Sequence, residues 1–206
     1  MNIIVFGANG NIGTRVVFSL LNDGHTVKAF VHGTSNLPEH ELLSVITGDV
    51  RDAKDVESAL PNVDVVISTL GSWGTKSKDI LSTGMQMIIP AMEKAGIKRI
   101  VSLTGSGVLL PTDHAAWYDR INPLLLRIVA PKILIDGERH IQALRKSDLD
   151  WTVVRSPVMK DGVKRAYTLS DTPPLLWIRA VRDDVAQAIV DLATSNDYVK
   201  QAPFLK

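Results

Sequence analysis

The feature that most restricts this chain is a short apolar strand that runs straight into a glycine-spaced loop. Ile3-Ile4-Val5-Phe6 is followed at once by Gly7-Ala8-Asn9-Gly10-Asn11-Ile12-Gly13, after which Val16, Val17, Leu20 and Leu21 share one helical stripe that Gly24 ends. Strand, GxxGxxG loop and helix in immediate succession open a parallel βαβ unit of the dinucleotide-binding kind. Each glycine has a physical reason. Gly7 permits a tight exit from the strand, Gly10 lets a diphosphate approach the backbone, and Gly13 lets helix and strand pack closely. Free N–H groups and the positive end of the helix dipole would then hold the phosphates. Gly7, Asn9, Gly10, Asn11, Ile12 and Gly13 are therefore the candidate diphosphate site, against the alternative of a glycine-rich turn that binds nothing. Arg15 is read either as a phosphate contact or as a solvated helix residue.

The rest of the chain alternates in the same way. Strands are predicted at Ile3–Phe6, Thr26–Val31, Ser44–Thr47, Val63–Thr69, Ile100–Leu103 and Trp151–Arg155, mostly as near-continuous apolar runs of the kind that helices cover on both faces. Ile80, Met87, Ile88, Ala91 and Ala95 form a second helical stripe ended by Gly96. Asp52 reads as an N-cap, and Asp183-Asp184 opens a last helix through Ala186, Ile189, Val190 and Ala193. The expected fold is α/β: a Rossmann-type, doubly wound, mainly parallel sheet. The 206 residues fit a single domain, given the usual ~100–200, so residues 1–206 are expected to form one NAD(P)-binding unit. The tail Ala202-Pro203-Phe204-Leu205-Lys206 is expected to dock on a sheet edge.

Composition removes several functions. Lys plus Arg number 23 against 22 Asp plus Glu, so no net field favours nucleic acid or anionic lipid. Cysteine is absent, which excludes disulfides, thiolate metal sites and Cys nucleophiles. The histidines show no ligand spacing, so no metal is expected. No apolar run reaches the ~20 residues that span a bilayer, and the N-terminus lacks the basic start and cleavage site of a signal peptide. A cytoplasmic location is the expectation. Residues 107–135 break the alternation with Trp117, Tyr118, Pro123, Leu124-Leu125-Leu126, Ile128, Val129 and Pro131. They are too long for a plain connection and read as a lid, a self-association surface or an extra core helix.

The second strand ends at Val31-His32-Gly33-Thr34-Ser35, without the acid that would bind the ribose 2′-hydroxyl of NAD. NADP (as NADPH) is therefore favoured over NAD, with His32, Thr34 and Ser35 as donors to a 2′-phosphate. No Arg stands there to form a bidentate pair. The other reading of His32 is a surface residue in a turn.

Five segments together give a wider resemblance: the Gly7–Gly13 loop, Gly48-Asp49-Val50, Val65-Val66-Ile67-Ser68-Thr69-Leu70-Gly71, Leu103-Thr104-Gly105-Ser106, and Leu149-Asp150-Trp151-Thr152-Val153-Val154-Arg155-Ser156-Pro157. Over nearly its whole length the chain resembles the atypical short-chain dehydrogenase/reductases. These are NAD(P)H-binding families that include the biliverdin and flavin reductases and the nitrogen-metabolite-repression-type regulators. The resemblance implies that Asp49 and Val50 lie against the adenine, that Leu70 and Gly71 follow the ribose and phosphates, and that Thr104, Pro157 and Val158 frame the nicotinamide. Taken alone, Asp49 reads as a turn or capping acid.

One departure shapes the expected chemistry. Catalytic members of the wider superfamily carry Tyr and Lys four residues apart, so that the ammonium lowers the phenol pKa and the Tyr protonates an alkoxide. Here Tyr118, Tyr167 and Tyr198 are followed four later by Asn122, Asp171 and Ala202. A reductase survives that loss if its acceptor delocalises the incoming charge, as flavins, quinones and linear tetrapyrroles do, and takes its proton from solvent. The expected activity is NADPH-dependent reduction of a small conjugated acceptor, with Ser106, and less securely Tyr118 and His114, touching it. Their other readings are a turn serine, a tyrosine packed beside Trp117 and a solvated histidine. The alternative is a non-catalytic NAD(P) sensor that binds a protein partner; self-association is a further expectation.

Overall fold

The computed structural model describes residues 1–206 apart from 74 and 76, and all of their side chains but those of 120 and 122. Strand β1 (Asn2–Phe6) lies inside the sheet because it is apolar on both faces, with Ile3, Ile4, Val5 and Phe6 fully buried. Ile3 and Val5 join the core under α1 (Gly13–Asn22) and α6 (Arg182–Ala193). Ile4 and Phe6 join the opposite core under α2 (Ala53–Ala59), α3 (Ile80–Ala95) and α5 (Pro131–Arg145). Burial of such a side chain contributes roughly 1.5–3 kcal/mol, so two helical layers are what this double-sided strand demands.

The remaining strands are β2 (Thr26–Val31), β3 (Leu43–Thr47), β4 (Val65–Ser68), β5 (Arg99–Gly105), β6 (Asp150–Ser156), β7 (Met159–Lys160), β8 (Leu169–Ser170), β9 (Ala180–Val181) and β10 (Phe204–Leu205). Among the described residues an eight-stranded sheet runs β3-β2-β1-β4-β5-β6-β10-β8, and β7 pairs with β9 apart from it. The first six are parallel, as the apolar runs predict. The tail does not lie on the rim: β10 is parallel to β6 and antiparallel to β8, one strand in from the edge. Asp52 caps α2 as expected, accepting from the N–H groups of Lys54 and Asp55. Gly96 ends α3 in the left-handed region at φ 72°.

Residues 107–135 resolve into a loop, a 3-10 turn (Trp117–Arg120), α4 (Ile121–Val129) and the first turn of α5. Helix α4 is not a core helix, since Leu124, Ile128 and Val129 are 62–77% exposed. Among its described residues, Leu126 packs on the core. Helix α5 is the crossover between β5 and β6, and its buried face carries Asp136, Gly137 and His140 among Leu134, Ile141 and Leu144. Gly137 allows the close approach, because a Cβ there would lie 2.8 Å from Thr104 Oγ1 and from a Val108 methyl.

Candidate functional site

Parallel register aligns the carboxyl ends of six strands. Phe6 pairs with Phe30 and Ser68, Ser68 with Ser102, Ser102 with Val153, and Val31 with Thr47. The segments after β1 to β6 therefore open on one edge of the sheet. Strand order reverses between β1 and β4, which makes the crevice where α/β sheets take ligands.

The glycine loop stands at that crevice. Gly7 has φ 82°, and a Cβ on it would come within 3.1 Å of the Leu70 backbone N. Gly13 is the tightest position, where a Cβ would fall 2.1 Å from Gly7 O. Gly10 is exposed and meets only Gly7 O, at 3.1 Å. The loop is closed by Gly10 N–H to Gly7 O (2.9 Å) and Thr14 Oγ1 to Ala8 O (3.1 Å). Among the described residues no side chain caps α1, whereas carboxylates cap α2 and α3. The N–H groups of Asn11 and Ile12 are bonded to no other described residue. A backbone surface with open donors at a helix N-terminus can hold phosphate oxygens.

Asn9 is already engaged: its amide donates to Thr34 O (2.7 Å) and accepts from Asn36 N–H (3.3 Å), tying the glycine loop to the turn after β2. His32 and Thr34 are exposed on that turn, and Ser35 Oγ accepts from Leu37 N–H. Asp49 Oδ1 accepts from the backbone N–H and Nε of Arg51 (3.0 and 3.1 Å). The Arg51 backbone bond is the main reason its carboxyl lies below the ordinary range; partial burial opposes this, and the Arg51 side chain and His32 assist. Val50 is buried, Leu70 half-buried and Gly71 exposed. Thr104 is buried, Ser106 donates its N–H to Ser156 O (2.8 Å), Pro157 is buried and Val158 exposed. Tyr118 is half exposed and meets Trp117 edge-on at 5.8 Å. His114 pairs with Asp171 at 3.0 Å on the surface. Arg15 is neither free nor merely solvated, since Asp183 and Asp161 each hold it at 2.8 Å.

Sequence reasoning missed Asp136. It is 2% exposed and accepts from Ser72 Oγ (2.5 Å), Leu81 N–H (3.1 Å) and Ser82 N–H (2.8 Å). It thereby caps α3 and ties the 70–72 segment to α5. His140, one turn on, is fully buried with Nε2 3.0 Å from Ser102 Oγ. Its Nδ1 has no partner among the described residues. The available signal was the four-residue spacing of Asp136 and His140 on the stripe of Leu134, Ile141 and Leu144.

Burial pushes the His140 imidazole down from 6.5 to about 4, against the pull of the Asp136 carboxylate. The unfolded chain takes up a proton in that interval that the folded chain refuses. Stability is therefore expected to be full above about pH 6.5 and to fall by up to roughly 3 kcal/mol as pH drops toward 4. Urea unfolding across that range measures it. His140→Gln should flatten the slope, and an unchanged slope would assign it to other groups.

Away from this edge, a cleft of about 630 Å³ is bounded by Asp113, Trp151, Arg155, Tyr198 and Lys200; it shares no residue with the groups around the glycine loop. Among the described residues, no group of three or more His, Asp or Glu is placed to hold a metal, and no helix is long and apolar enough to cross a membrane.

With a Gly-rich strand-to-helix turn facing a topological switch point, comparison with known proteins becomes decisive: the NAD(P)H-binding family matches residues 7–196. The chain belongs to that family. Among its curated relatives, a 3-beta-hydroxysteroid dehydrogenase of Mycolicibacterium neoaurum is 26% identical over 52% of this chain and 33% of its own length. The chain thus spans about a third of such relatives. The Bacillus subtilis protein described as an uncharacterized sugar epimerase, YhfK, is 26% identical over 92% of this chain and 86% of its own. Three solved structures share the fold. The oxidoreductase ylbE of Lactococcus lactis has a TM-score of 0.81 at 20% identity, covering 100% of this chain and 90% of its own. The anaerobilin reductase ChuY of Escherichia coli O157:H7 has 0.78 at 22%, covering 100% and 96%. A wide-type short-chain dehydrogenase/reductase of Veillonella parvula, in complex with NADP, has 0.77 at 18%, covering 99% and 93%. This member of the NAD(P)H-binding family therefore has the Rossmann-like architecture of its oxidoreductase neighbours.

Proposed function

We propose that the chain is an NADPH-dependent reductase of a small conjugated acceptor such as a flavin or quinone. The observation that carries this reading is the uncapped N-terminus of α1 behind a side-chain-free surface at Gly10, in the crevice where strand order reverses. Bound NADPH supplies a hydride. In this reading the N–H groups of Gly13, Ile12 and Asn11 hold the diphosphate, and Gly7 and Leu70 keep the strand exits close enough for it. Asp49 and Val50 face the adenine, Leu70 and Gly71 follow the ribose, and Thr104, Pro157 and Val158 frame the nicotinamide. Ser106 orients the acceptor, with Tyr118 at the rim.

Asp136 and His140, the ionisable groups that α5 turns inward, are held in buried hydrogen bonds. That arrangement supports an acceptor that delocalises charge and takes its proton from solvent, with catalysis by orientation. The neighbouring anaerobilin reductase and NADP complex support both halves of the proposal. Loss of NADPH absorbance on mixing with flavins or quinones tests it; no consumption across a broad acceptor panel would remove the enzymatic claim.

Gly10→Val is expected to weaken NADP binding about 100-fold by displacing two or three charge-assisted bonds. The melting temperature of the unliganded chain should barely move, because Gly10 is exposed. Calorimetric titration and melting measure the two effects; undiminished affinity would mean that the loop holds no diphosphate.

A second reading has its own observation: the apolar face of α4, with Leu124, Ile128 and Val129 exposed beside Trp117. It is a sensor whose association with a protein, or with itself, responds to NADP. Tight NADP binding without turnover, together with a partner whose affinity changes with NADP, would favour it.

A further inference from the structure

We infer that Arg51 is the residue that selects NADP over NAD, by placing its guanidinium on the 2′-phosphate of the adenosine. The inference rests on the nucleotide site proposed above and adds a cation that the turn after β2 lacks. That turn offers His32, Thr34, Ser35 and Asn36 as donors but no Arg or Lys. The fold brings the segment that carries a guanidinium alongside it, from just beyond the next strand. Val31 and Thr47 are paired, Gly48 N–H donates to Val31 O (3.0 Å), and Thr47 Oγ1 reaches Gly33 O (3.4 Å). The turn of residues 48–51 thus flanks the start of the 32–36 turn, close enough for His32 to be among the groups that lower the Asp49 carboxyl.

Within that pair of turns Arg51 is held in a particular way. Asp49 Oδ1 takes its Nε at 3.1 Å, which fixes the guanidinium at one corner. The two terminal nitrogens are bonded to nothing among the described residues, and the side chain is 49% exposed. A guanidinium anchored at Nε still presents its Nη pair in the fork that matches a phosphate. Nicotinamide coenzymes differ at this end only in that phosphate, a group of charge about −1.5 to −2. Gly48 fixes the path of the turn, since a Cβ there would lie 2.7 Å from Phe30 Cζ.

Calorimetric Kd values for NADP⁺ and NAD⁺ with wild type and Arg51→Gln test the inference. The variant keeps the residue 51 N–H that Asp49 accepts, so the turn persists. The expected result is a Kd for NADP⁺ raised about 10- to 30-fold with that for NAD⁺ unchanged, a selective loss of roughly 1.4–2 kcal/mol. Direct titration with adenosine 2′,5′-bisphosphate and 5′-AMP should show the same contrast. An equal loss for both coenzymes would put Arg51 on the adenine ring and overturn the inference, as would no change. Failure of wild type to bind either coenzyme would remove the nucleotide site itself, and this role with it.

Discussion

Asp113→Ala is expected to lower the unfolding free energy by about 3–5 kcal/mol. Arg155 on β6 is 1% exposed, and both of its terminal nitrogens meet Asp113 at 2.6 Å. The same guanidinium donates to Ala202 O and Val108 O and stacks 3.6 Å above the Phe204 ring. Removing the carboxylate leaves a cation in a nearly dry site with only dipoles around it, and also frees Leu110 N–H, which Asp113 accepts at 2.7 Å. Urea unfolding at neutral pH measures the loss. A fall below about 1 kcal/mol would show that water reaches Arg155. Replacing both partners with apolar residues should recover much of the loss, because a missing pair costs less than a lone buried charge.

The second large effect is expected at Gly13. A Cβ there would lie 2.1 Å from Gly7 O and 2.8 Å from Ala8 Cα, and both obstacles are backbone. Gly7 O accepts from Gly10 N–H and Thr69 Oγ1, so moving it opens the loop and its tie to β4 together. Gly13→Ala is therefore expected to destabilise by about 3 kcal/mol and to abolish NADP binding. Gly10→Ala, whose Cβ meets a single atom at 3.1 Å, should leave stability nearly unchanged. Melting curves of the two variants, each with and without NADP, check the contrast; equal behaviour would deny that Gly13 is the packing position.

What the sequence reveals divides along physical lines. Residues 3–6 read as a strand because burial on both faces leaves an unbroken apolar run, and 26–31 and 100–103 because their apolar runs are interrupted only by Thr26, Lys28 and Ser102; the observed β1, β2 and β5 lie there. Gly24 and Gly96 mark helix ends because both adopt positive φ. Helix α5 was hidden because its buried face substitutes Asp136, Gly137 and His140 for apolar residues, so the stripe that betrays a helix is broken where the helix is most constrained. The two-residue strands β7, β8, β9 and β10 are too short for any periodicity. Around the crevice, the glycine loop was legible through spacing. Asp136 was not, because its partner Ser72 lies 64 residues away and is brought near only when α5 packs on the sheet.

The position of β10 bears on how the molecule is made. Until residues 201–206 are available, Val153 N–H and Arg155 N–H have no acceptors in Gln201 and Pro203, and Phe204 is not there to cover the guanidinium. A chain emerging from the ribosome therefore displays a bare, hydrogen-bonding strand flank from the synthesis of β6 until that of residues 201–206, and this is where a nascent copy would be captured by a neighbour or guarded by a chaperone.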